Sequence, residues 1–124
     1  MRPFYAVATA LLVATPAIAK DSVPAATPIG KPVDCIQGDR WIKETRVHSD
    51  EVIDFYMNGK KIYRNTIPGG CPQLGFEQRF LHTTRGTSQY CSLDTITVLV
   101  DPSFTRGATC GLGQFQEIQL VSTK

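Results

Sequence analysis

Apolar and polar positions alternate most regularly between Glu51 and Asn65, on either side of Asn58-Gly59. An Asn-Gly pair accepts positive φ at both positions, so it favours a two-residue turn whose twist suits a β-hairpin. Such a turn sets Met57 opposite Lys60, Phe55 opposite Ile62 and Ile53 opposite Arg64. Side chains then sort by face, with Ile53, Phe55, Met57 and Ile62 on one and Asp54, Tyr56, Lys61 and Tyr63 on the other. A lone hairpin is marginal in water, so the apolar face requires more sheet to cover it.

The same alternation places the other elements. Residues 41–48 read as a first strand, although the charges of Arg40, Lys43, Glu44 and Arg46 also fit one or two helical turns. An odd-length loop at Ser49-Asp50-Glu51 sets Val47 opposite Ile53 and Thr45 opposite Phe55, whereas an even one turns Arg46 to the core. Ile67-Pro68-Gly69-Gly70-Cys71-Pro72 ends the hairpin in a turn. Residues 76–83 are a strand candidate with Phe76, Phe80 and His82 on one face, and residues 84–89 are a polar loop. Thr95–Val100 is the most strongly β segment, since Ile96, Val98 and Val100 alternate cleanly. Residues 103–107 read as a loop. Residues 112–121 form a final strand with Phe115, Ile118 and Leu120 as core positions and a bulge near Gln116-Glu117. The pattern predicts an all-β domain of about six strands, a small antiparallel barrel or a strongly curved sheet.

The first residues do not fit that domain. Met1-Arg2 is a short positive start, residues 4–14 are apolar, Thr15-Pro16 breaks the run, and Ala17-Ile18-Ala19 has the small-x-small form of a cleavage site. This predicts a secretory signal peptide over residues 1–19, cleaved before Lys20. The apolar run is shorter than the ~20 residues of a membrane span. Residues 20–33, with Pro24, Pro28 and Pro32, read as a flexible leader, and residues 34–124 as a single β domain in the periplasm or the secreted space.

Thirteen Lys and Arg stand against eleven Asp and Glu, interspersed without a run of either sign. That distribution makes no electrostatic footprint for nucleic acid. Four cysteines in a short exported chain are most simply two disulfides. If six strands run up and down in order, Cys35 and Cys91 fall at one end of the sheet and Cys71 and Cys110 at the other. Of the three possible pairings, this geometry favours Cys35–Cys91 with Cys71–Cys110. The cysteines are too widely spaced for a redox pair or a zinc knuckle, and neither a metal nor a cofactor is expected.

An ordered set of motifs runs through the chain. It comprises Cys35-Ile36, a hairpin ending in Tyr63-Arg64-Asn65, Cys71-Pro72 with Leu74, Cys91-Ser92 with Asp94, Ile96 and Val98, and Cys110 with Leu112-Gly113 and Phe115. Together it resembles a family of small exported proteins of Gram-negative bacteria classed as a domain of unknown function. The resemblance implies an exported single domain with four cysteines, and it carries no activity, substrate or catalytic residue.

Candidate chemistry is sparse. Asp94 reads either as an acid or base held beside a disulfide or, the simpler reading, as a turn-former accepting a backbone N–H. Glu77, Arg79 and His82 invite comparison with small secreted ribonucleases, but alternation points Glu77 and Arg79 one way and His82 the other. His48 reads as a surface residue beside a polar turn, and Gly111-Leu112-Gly113 as a turn beside Cys110. The low-specificity polar pair is therefore Asp94 and His82, and no catalytic residue is assigned. Phe104 and Arg106 offer one candidate contact loop, unless Phe104 folds back on the core, and Tyr56 with Tyr63 offers a candidate contact face. These readings favour a non-catalytic binding or accessory module for a protein or cell-envelope component. A small secreted hydrolase or nuclease, or an inhibitor of a cell-wall hydrolase, is the alternative.

Overall fold

The computed structural model describes residues 23–83 and 88–121. The signal sequence expected at residues 1–19 and part of the polar loop at 84–89 lie outside these residues. In chain order the strands are β1 (Ala26–Pro28), β2 (Cys35–Ile36), β3 (Ile42–Val47), β4 (Val52–Met57), β5 (Ile62–Thr66), β6 (Phe80–Thr83), β7 (Tyr90–Cys91), β8 (Thr95–Val100), β9 (Thr105–Gly111) and β10 (Phe115–Leu120). Helix among the described residues is confined to a 3₁₀ turn, Asp39–Trp41, and one α turn, α1 (Leu74–Glu77).

The fold is mostly β, as the alternation predicts, but it is not one barrel of six strands. It consists of three open antiparallel sheets, ordered β1-β10-β5-β4-β3, β2-β7 and β6-β8-β9. The physical reason lies after the hairpin. β10 returns to pair with β5, so β6 is left to pair with β8, and β8 with β9. Residues 105–107, expected in a loop, belong to β9.

The hairpin forms with a different register. Met57 N–H donates to the Lys61 carbonyl at 3.0 Å, so the turn holds three residues and Phe55 faces Tyr63, not Ile62. Gly59 carries the positive φ, 94°. The shift brings Asn65 opposite Ile53 and Arg64 opposite Asp54. Tyr63 thus lies on the core face and Tyr56 on the other, so the two do not share a contact face. The β3–β4 register is the expected one, with Val47 opposite Ile53 and Thr45 opposite Phe55.

Three further expectations are corrected. Residues 26–28, assigned to a flexible leader, pair with β10, and Val33 bridges to Phe115. Residues 74–77 form a helical turn in place of a strand start, which leaves Phe76 86% exposed. No bulge occurs at Gln116-Glu117; the register shifts lie at Ile42/Glu44 and Thr97/Leu99.

The three sheets share one core, built from Ile36, Val47, Ile53, Phe55, Met57, Ile96, Val98 and Phe115 with Ile67, Leu74 and Leu112 from the connections. Phe55 holds its centre. Its ring meets Phe115 edge-on at 5.4 Å and Tyr90 at 5.7 Å, tying β4 to β10 and β7. Full burial of one such ring contributes about 1.5–3 kcal/mol, and each edge contact about 0.5–1.5 kcal/mol more. The core also takes one amide. Asn65 donates through Nδ2 to the Gly113 carbonyl at 2.7 Å and accepts the Gly113 N–H at 2.9 Å. Only glycine fits there, because a Cβ at 113 would sit 2.4 Å from the Thr66 carbonyl oxygen.

Disulfides join Cys35 to Cys91, across the β2–β7 pair, and Cys71 to Cys110. Two such bridges fit an oxidising, extracytoplasmic environment. No helix among the described residues is long and apolar enough to cross a membrane.

Candidate binding cleft

Local backbone needs build a cleft between the hairpin tip and the 3₁₀ turn. At residue 38 a Cβ would lie 1.3 Å from the Ser88 carbonyl oxygen, so Gly38 lets the chain pass close before turning at Asp39–Trp41. Asn58 then clamps the two parts together. Its backbone N–H donates to the Trp41 carbonyl at 2.7 Å and its Nδ2 to the Arg40 carbonyl at 2.8 Å. Trp41, 55% exposed, is thereby held beside the hairpin.

The resulting cleft has a volume of about 300 Å³. Ile36 and Met57, both buried, and the Cys35 half of a disulfide give it an apolar floor; Trp41 and Tyr63 are aromatic walls. Gln37, Asn58, Lys61 and Gln89 supply polar groups. Apolar walls with a few convergent polar groups are the usual form of a small-ligand site. Of the contact residues named from the sequence, Tyr63 lines the cleft and Tyr56 does not. Tyr56 lies under the Arg46 guanidinium, 4.5 Å from its ring centroid. The Glu44 carboxylate hydrogen-bonds Arg46 and, ahead of the Tyr56 contribution, pushes its pKa up. Phe104 does not cap the core; it is 55% exposed, with the Arg79 guanidinium 5.1 Å from its ring centroid. Arg106 is exposed on β9, opposite Leu99.

The ionisable candidates fall into three separate groups. His82 and Asp94 come together, with Nε2 and Oδ2 3.0 Å apart and both side chains buried. The same Asp94 oxygen accepts the Cys91 N–H at 2.8 Å, the turn-forming contact. His82 stacks on Tyr90 at 3.6 Å, and the Tyr90 hydroxyl donates to Asp39 at 2.8 Å. Burial, followed by the Asp39 hydrogen bond and negative charge, pushes the Tyr90 pKa far above its ordinary value.

His48, expected at the surface, instead lies 3.0 Å from Asp54 Oδ2 in a second group. Asp54 is fully buried and takes a bidentate contact from Arg64, Nε to Oδ1 at 2.8 Å and Nη2 to Oδ2 at 2.9 Å. Arg64 Nη2 also donates to the Pro24 carbonyl at 2.9 Å, which ties down the segment before β1. In the third group Asp101 accepts from Arg79 at 2.8 Å and donates its N–H to Glu77 at 3.2 Å.

Sequence reasoning missed Trp41, Gln37, Asn58 and Lys61 as parts of one site. The available signal was a lone Trp in a polar stretch, which alternation alone treats as a strand start. No set of three or more metal-ligating side chains converges among the described residues. Comparison with known proteins finds no matching family, curated protein or solved structure.

Proposed function

We propose that the chain is an exported, non-catalytic binding or accessory module, acting in the periplasm or the secreted space on a protein or cell-envelope component. The observation that carries this reading is the cleft. Its lining holds aromatic and amide side chains on an apolar floor, while Glu77, Arg79, His82, Asp94 and His48 are engaged in three other places. His82 and Asp94 do meet, but both side chains are buried away from the cleft, and hydrolytic chemistry needs an acid and a base that reach one reacting group. Export is supported by the two disulfides, by the signal peptide read at residues 1–19 and by the resemblance to a family of small exported Gram-negative proteins.

Mild crosslinking in the periplasm, followed by co-purification, tests the reading. The expected result is a partner captured by the wild type and lost on Trp41→Ala. Turnover of a panel of nuclease and glycan-hydrolase substrates, with no partner recovered, overturns it. One observation favours a second reading, an inhibitor of a cell-wall hydrolase: Phe104 projects from the turn before β9, braced by Arg79. That reading expects inhibition of such a hydrolase, lost on Phe104→Ala.

A further inference from the structure

One cation lines the cleft among the described residues: Lys61, which is exposed. Arg40, next to Trp41 in the chain, is tied through its carbonyl to Asn58. The neighbouring acid, Asp39, is engaged by the Tyr90 hydroxyl. Aromatic rings that are part buried and part wet present an apolar face to a ring with a C–H surface. Amide side chains such as Gln37 both donate and accept, as hydroxyl groups do. A lysine at the rim adds a point charge for an anion.

We propose that the cleft binds an acidic saccharide, a glycan segment carrying a carboxylate, with a sugar ring between Trp41 and Tyr63 and the carboxylate at Lys61. This rests on the reading of the chain as a binding module and names the ligand class for that site. The volume of about 300 Å³ lies at the small end of ligand sites, suited to a short ring system. A single-stranded nucleic acid is anionic and stacks on aromatics too, but it is held by a charged groove that tracks several phosphates. Here the lining holds one cation among the described residues, Lys61, and the whole chain carries a formal net charge of only +2.

Trp41 is the only tryptophan, so its fluorescence reports on the cleft directly. The mature protein is titrated with hyaluronan tetrasaccharide, with neutral chitotetraose and with a thymidine octanucleotide, and each mixture is chromatographed for cleavage. The expected result is a saturable emission change with the acidic saccharide and affinity about twofold to fivefold weaker for the neutral one, the scale of one solvated ion pair. Lys61→Gln, an exposed change, brings the two affinities together, and calorimetry on Trp41→Ala shows binding lost with the circular dichroism spectrum unchanged. Equal affinity for the neutral and acidic saccharides, tighter binding of the oligonucleotide, or no saturation at millimolar saccharide overturns the ligand class and leaves the binding-module reading standing. A shortened saccharide in the chromatogram overturns the binding-module reading itself.

Discussion

Two buried carboxylates, Asp54 and Asp94, each hold a histidine Nε2 at 3.0 Å, and their surroundings differ in everything else. Asp54 sits in the middle of β4, where no turn offers free N–H groups. It is matched by the Arg64 guanidinium from β5, and His48 adds a further contact from the end of β3. Asp94 sits in a turn. Its side chain accepts the Cys91 N–H, its own N–H donates to the Cys91 carbonyl, and its carbonyl accepts the Leu112 N–H. The buried charge within the strand thus takes a guanidinium, whereas the carboxylate at the turn is served by one backbone donor and an imidazole. Both pairs fasten elements together, and neither aspartate lines the cleft.

The comparison is broken most directly at Asp54. Asp54→Ala leaves Arg64 and His48 facing each other without their acceptor and loosens the residue 24 contact, so it costs about 3–5 kcal/mol. Urea denaturation measures this, and a loss below about 1 kcal/mol would show that the guanidinium is served by solvent. The next effect concerns the bridge beside Asp94. Replacing Cys35 and Cys91 together by Ser opens a link between positions 56 residues apart and costs about 2–4 kcal/mol. Asp94→Ala comes third, at about 1–3 kcal/mol, because it orphans one N–H and one imidazole but no guanidinium. If Asp94→Ala proved more damaging than Asp54→Ala, the two sites would have to exchange their roles.

The same contrast explains what could be read from residues alone. The Asp94 turn was legible because its partner, Cys91, is three positions away and Asp at a turn has a known local habit. Asp54 was not. Its burial depends on the hairpin register, which sets Arg64 opposite it, and Arg64 is held in turn by the Pro24 carbonyl, forty positions from Arg64. The register itself was misread for a tertiary reason: Asn58 spends its backbone N–H and its side chain on Trp41 and Arg40, and the turn that permits this has three residues. Local turn preference yields there to a contact across the chain. The β3–β4 register and the alternation of Ile96 and Val98 were legible because only one choice buries the apolar side chains. The order of the sheets was not, since the return of β10 to β5 leaves no local trace. The cleft inherits that difficulty, as its walls come from separate parts of the chain.

The smallest effect sharpens the comparison at its edge, where Tyr90 joins the Asp94 site to the 3₁₀ turn below Trp41. Its hydroxyl donates to Asp39, and its burial, with that hydrogen bond and charge, favours the protonated phenol in the folded state. Below the ordinary tyrosine value of about 10, folded and unfolded chains both keep the proton, and this contribution to stability is complete. As pH rises past that value the unfolded chain releases its proton while the folded chain retains it, so stability falls until the folded phenol also titrates. Tyr90→Phe removes the titration. In denaturant melts between about pH 9 and 11 the wild type therefore loses more stability than the variant. Parallel curves would mean that the hydroxyl is as well solvated in the folded chain as in the unfolded one, and that Asp39 is not held by Tyr90.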